Sequence, residues 1–300
     1  MVRLGDGGAS ASADPSESFG MLDVSIETSP IPSEQRRAGG PPGAEDQPGR
    51  GAGNPSAWVR PPESAARGPF RRRPSVTMSP QEESWDTVGI FVFPGFEPLD
   101  AYGPMELFGS MIREGLRKVK RIVFVAETAG PVPSCFGPST VAEYGLDDCP
   151  PLDVLVISGG IGTRILMHNT RVVDWLRSQI LDHDVRHVLS VCTGAALLAA
   201  TGLLDGKPAT TNKELFTYIR QLFPAVQWQG TARWISQGKV VTASGVTAGM
   251  DAALSIIEGT FGAEVAERVA RDVEYIGDWR QASNDPFAHH SSSDDGEGAG

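Results

Sequence analysis

Short apolar runs alternate with stretches of helical spacing over two thirds of this 300-residue chain, and that alternation restricts the fold more than any other feature. Residues 87–93 (T-V-G-I-F-V-F) are β-branched and aromatic and stop at Pro94 and Gly95, which reads as a buried strand. Residues 100–113 follow with Met105, Leu107, Phe108, Met111 and Ile112 in one helical stripe and Asp100 near its start. R-I-V-F-V-A-E-T from Arg121, D-V-L-V-I-S at 153–158, H-V-L-S-V at 187–191 and residues 239–243 read as further strands. Helices are expected at 170–182, 195–204, 213–223, 247–261 and 264–275. Strands that alternate with helices of about ten or more residues require crossover connections, and so a mostly parallel sheet between helical layers: an α/β fold.

Residues 1–84 cannot join that core. They are Gly, Pro, Ser, Ala and Arg with isolated hydrophobes, too little apolar surface to offset chain entropy, and are expected to form a disordered low-complexity arm. Residues 289–300 are expected to be a disordered acidic tail. One globular domain, 85–288, remains. The formal charge of −11 divides as −2, −6 and −3 over these three segments, so none is a basic nucleic-acid surface and no direct nucleic-acid partner is expected. No long apolar stretch marks a membrane span or a secretory leader. Three cysteines, Cys135, Cys149 and Cys192, make neither a disulfide framework nor a zinc set, which fits a reducing, cytoplasmic location. His183 and His187 are four apart but straddle a helix end and a strand start, so a metal site is not expected.

Cys192 stands where V-L-S-V ends and T-G-A-A-L-L-A-A begins, the strand-turn-helix context of a nucleophile elbow. A helix start brings N–H groups and partial positive charge to the sulfur, which favours the thiolate, and Gly194 lets the helix pack closely. The N–H of Thr193 and the Gly159–Gly160 loop are placed to donate to an oxyanion on an attacked carbon. The bland alternatives are a buried structural cysteine and a tight glycine turn. Cys135 and Cys149 lack such a context and are read as structural.

Residues 89–103, 153–160, S-V-C-T-G at 190–194 and S-G-V-T-A-G-M-D at 244–251 together resemble the ThiJ/PfpI superfamily, and F-P-G-F-E-P-L-D-A-Y-G-P at 93–104 is among the motifs similar to its isonitrile hydratase branch. N-D-P-F from Asn284 is similar to the end of those relatives. The resemblance implies a flavodoxin-like three-layer sandwich, a homodimer, and a cysteine held near an acidic group from the first strand-helix unit: here Cys192 and Asp100. No G-x-G-x-x-G follows a strand and no P-loop signature is present, so no cofactor is expected. A carboxylic acid kept protonated there would donate first to sulfur and then to substrate. Many members have a histidine twenty residues after the cysteine; here it is Asn212, which orients water or substrate but takes no proton. Peptide hydrolysis and glutaminase chemistry lose support accordingly. Three readings stay open: hydration of a small molecule such as an isonitrile to an N-substituted formamide, a ligand-sensing module like those of transcription regulators, and a redox-responsive thiol.

Overall fold

The computed structural model describes residues 83–288 except Glu114 and Asp184. The expected arm, but for Glu83 and Ser84, and the expected tail lie outside the described residues.

Six strands form the central sheet: β1 (Trp85–Phe91), β2 (Val119–Val125), β5 (Val154–Ile157), β6 (His187–Ser190), β9 (Trp234–Gln237) and β10 (Val240–Ala243). Their spatial order is β2-β1-β5-β6-β10-β9. All pairs are parallel except β10 with β9. Every residue of β5 is buried, as a strand covered on both faces demands. The register brings Phe91 beside Ile157 and Ile157 beside Ser190, so β1, β5 and β6 end level with one another. That common edge is where their loops meet.

Helices α1 (Pro98–Ser110), α6 (Ala248–Phe261) and α7 (Ala263–Asp272) pack together on one face. On the other, α2 (Thr163–Leu166) and α3 (Thr170–Leu181) pack against α4 (Gly194–Ala200), which lies on β6. The expected α/β, flavodoxin-like sandwich is what forms.

Some elements differ from the sequence reading. A hairpin of β3 (Gly130–Pro133) and β4 (Ser139–Ala142), a two-residue pair of β7 (Pro208–Ala209) with β8 (Gln227–Trp228), the antiparallel β9 and the one-turn α2 were not anticipated. Prolines at 131 and 133 disguise β3 as loop, and proline is tolerated there because the hairpin stands outside the main sheet. Helix α4 stops at Ala200 rather than running to 204, because Thr201 bonds its hydroxyl back to Leu198 and Gly202 turns the chain at φ +75°. Helix α5 spans only Phe216–Leu222, since Lys213, expected at its start, is held instead by Thr210 and Ala232.

Candidate active site

Three loops at the carboxyl ends of β1, β5 and β6 converge, and a bridge from Phe96 to Gly160 ties the first to the second. Between β6 and α4, Cys192 takes φ +56°, the left-handed backbone that a side chain other than glycine adopts only under tertiary constraint. The constraint is visible. Its N–H donates to Ser244 O at 2.8 Å, and the Thr211 hydroxyl donates to its carbonyl at 3.0 Å. The residue is 7% exposed. The Thr193 N–H, the Thr193 hydroxyl and the Asn212 amide lie against its sulfur.

Asp100, the third residue of α1, caps nothing: Glu97 holds the N-cap position. It is 0% exposed, and its Oδ2 accepts the Gly159 N–H at 2.9 Å. Its Oδ1 is buried with no aligned hydrogen-bond partner, and the carboxyl group faces the Cys192 thiol. Gly159 is the hinge of this arrangement. A Cβ there would stand 2.6 Å from Thr193 N and 2.8 Å from Asp100 Oδ2. Gly160, at φ +123°, donates its N–H to Thr193 Oγ1 at 2.9 Å.

Two sequence expectations change here. The N–H groups of Gly159 and Gly160 are engaged by Asp100 and Thr193, so they position those side chains rather than standing ready for an oxyanion. The thiolate is also not the resting form: burial, and then the Asp100 carboxylate, push the Cys192 thiol up, outweighing Thr193 and Asn212. Burial lifts Asp100 from 3.8 to about 8, with Glu97 adding to the rise and the Gly159 bond and Cys192 opposing it. At neutral pH the pair therefore rests as carboxylic acid beside thiol.

Asn212 stands between Cys192 and a cavity whose wall does not include the cysteine. Its Oδ1 accepts the Leu215 N–H at 3.1 Å, while its amide nitrogen faces the sulfur and the open space beside Gly245. The cavity, about 560 Å³, is walled by Asn212, Lys213, Arg233, Ser244, Val246 and Phe287, among others. Sequence reasoning had the flanking motifs, S-G-V-T and N-D-P-F, without seeing that Ser244 and Asp285 meet. Among the described residues no three His, Cys, Asp or Glu side chains gather as a metal site. His187 is a packing residue, stacked edge-on against Trp85 and pushed down to about 4 by burial. Cys135 and Cys149 are pushed up to about 11 and about 12, mainly by burial.

A flavodoxin-like sandwich with a cysteine on the turn after a central strand, and a buried acid facing it, defines a class of α/β protein. The DJ-1/PfpI family model matches residues 86–259, and the chain belongs to that family. Isonitrile hydratase of Pseudomonas putida is 33% identical over 188 residues, 63% of this chain and 78% of the relative. The HTH-type transcriptional regulator GbdR of Pseudomonas aeruginosa is 30% identical over 128 residues, which cover 43% of this chain and 34% of the regulator. A solved THiJ/PfpI family protein from Pseudomonas syringae superposes with TM-score 0.58 and 27% identity, over 70% of this chain and 84% of that one. No helix among the described residues is long and apolar enough to cross a membrane.

Proposed function

We propose that the chain is a cofactor-free, cysteine-dependent enzyme acting on small molecules, and that its reaction is hydration of an isonitrile to an N-substituted formamide. The observation that carries this reading is the Asp100–Cys192 pair, a fully buried acid held protonated against a thiol. An isonitrile is attacked and protonated at the same carbon, so it needs a nucleophile and an acid side by side. Similarity to isonitrile hydratase supports the substrate class.

In this reading the sulfur of Cys192 bonds to the terminal carbon while Asp100 gives that carbon its proton and takes the one from the thiol, leaving a thioimidate R–N=CH–S. Water then adds to the same carbon; Asp100 protonates the nitrogen and receives a proton from the water. The C–S bond breaks, the hydroxyl proton returns to sulfur, and R–NH–CHO leaves with thiol and acid restored. Thr193 and Asn212, which lie against the sulfur, steady its developing charge. Gly159 and Gly160 hold Asp100 and Thr193 in place. A homodimer belongs to the same reading.

Formamide formation from a panel of isonitriles tests it. Wild-type protein is expected to turn over, and Cys192→Ser and Asp100→Asn each to lose at least about a hundredfold. Failure on every isonitrile, or turnover that survives Cys192→Ser, ends the proposal. The sensing alternative draws on the similarity to GbdR and on a thiol that rests protonated and buried. It predicts saturable ligand binding that Cys192→Ser leaves unchanged, with no product.

A further inference from the structure

The charges around the cavity beside Asn212 come in internal pairs. Lys213 is buried, and its ammonium donates to Thr210 Oγ1 at 2.7 Å and to Ala232 O at 2.6 Å, with Asp285 3.9 Å away. Asp285 in turn accepts the Ser244 hydroxyl on one oxygen and the Phe287 N–H, at 3.0 Å, on the other. Arg233 is ion-paired through Nε with Asp251, which also accepts the Tyr275 hydroxyl, and its Nη2 donates to Thr247 Oγ1 at 3.1 Å. Glu214 is the remaining charge in the wall, and it is exposed to solvent. Val246 and Phe287 supply apolar surface.

A carboxylate guest would meet only cations that are already committed, and an ammonium guest only Glu214, an exposed carboxylate whose attraction water screens. Either would lose its hydration without gaining a buried partner, the costly case for a buried charge. An uncharged alkyl or aryl group has no such loss and gains from leaving water. Cys192 is not itself in the cavity wall, but Asn212 both lines the cavity and lies against the Cys192 sulfur, so a molecule bonded at sulfur has the cavity one side chain away. We infer that this cavity receives the nitrogen substituent of the substrate and selects an uncharged group over an anionic or cationic one of the same length. The inference rests on the proposed isonitrile reading, whose product defines the probes below.

Binding of N-substituted formamides to the full-length Cys192→Ser variant, measured by calorimetry, tests the cavity without requiring turnover. Three probes of matched length are compared: N-pentylformamide, its carboxylate-ended analogue and its ammonium-ended analogue. The uncharged probe is expected to bind at least about tenfold more tightly than either charged one. Val246→Trp, which fills the cavity, should abolish that binding. Asp285→Asn strips Lys213 of its counter-charge and should improve the carboxylate probe relative to the uncharged one. Equal or tighter binding of a charged probe, no binding of the uncharged one, or binding that survives Val246→Trp overturns the inference. If wild type hydrates no isonitrile while the charge preference and its loss in Val246→Trp are found, the reaction is refuted and the cavity stands. If turnover is found but Val246→Trp leaves kcat/KM unchanged, the cavity falls alone.

Discussion

The backbone N–H of Gly159 donates to Oδ2 of Asp100 at 2.9 Å, and so fixes the only acid of α1 that points into the sheet edge beside Cys192. One bond thus ties the loop after β5 to the helix after β1. It also explains why residue 159 has no side chain, since a Cβ would lie 2.6 Å from Thr193 N and 2.8 Å from both Asp100 Oδ2 and Thr193 Oγ1. All three neighbours are backbone or buried groups with nowhere to go.

Gly159→Ala is therefore expected to displace Asp100 and Thr193 together. The overpacking costs about 1–3 kcal/mol of stability, and turnover should fall at least about a hundredfold even where the variant is folded. Thermal melts and formamide assays on the same preparation check it; an active variant of wild-type stability would contradict the hinge.

Asp100 makes stability depend on pH in a direction opposite to that of an ordinary paired carboxylate. Its folded value is raised, from 3.8 to about 8, by burial. The stability tied to its protonated form is fully present below about pH 4 and is lost as the pH rises through about 8. Asp100→Asn has the same shape and never ionises. Its stability relative to wild type should therefore grow from pH 4 to pH 8, by at most on the order of 6 kcal/mol at ~1.4 kcal/mol per unit. Melts across that range measure the difference, and a gap that stays constant with pH would show that the carboxyl group is not held neutral.

What the sequence made legible was local. V-L-S-V-C-T-G encodes a strand, a turn and a helix start, so the place of Cys192 followed from seven residues. Its burial did not, because the groups that enclose it, Ser244 and Thr211, arrive from the loops after β10 and β7. Expecting a thiolate from the helix start alone missed that desolvation outweighs the donors. Asp100 reads from periodicity only as a residue near a helix start; its pairing with the thiol came from family resemblance. The cavity was invisible for the same reason as the burial. Lys213 and Asp285 lie far apart in sequence, and nothing in either neighbourhood announces the other. The β3–β4 hairpin was lost to its prolines, which signal turns unless the strand stands outside the main sheet.

The left-handed backbone of Cys192, φ +56°, gives a test that leaves chemistry aside. Cys192→Ala and Cys192→Gly both remove the sulfur, but only glycine adopts that conformation without steric cost. The strain of about 1–2 kcal/mol, less the ~0.5–1 kcal/mol that glycine's freer unfolded chain takes back, leaves the glycine variant about 0.5–1 kcal/mol more stable than the alanine one. Denaturant titration of the two variants resolves that difference. An alanine variant that is the more stable would mean the turn relaxes once the sulfur is gone.

Alkylation of Cys192 reads the coupling between thiol and acid directly. Burial pushes the thiol up and the Asp100 carboxylate pushes it further, while Thr193 and Asn212 act in the opposite direction. Below about pH 8 Asp100 is protonated and carries no charge to repel a thiolate. Removing its ionisation by Asp100→Asn should then leave the iodoacetamide rate at pH 6.5 within about twofold of wild type. At pH 9.5 wild-type Asp100 is ionised, the thiolate beside it is disfavoured, and the variant should react severalfold faster. Asn212→Ala takes away a group that favours the thiolate and should slow labelling at both pH values. Mass spectrometry separates Cys192 from Cys135 and Cys149 in the same sample. A variant no faster than wild type at pH 9.5 would mean that acid and thiol titrate independently, and the shared proton of the proposed reaction would have no basis.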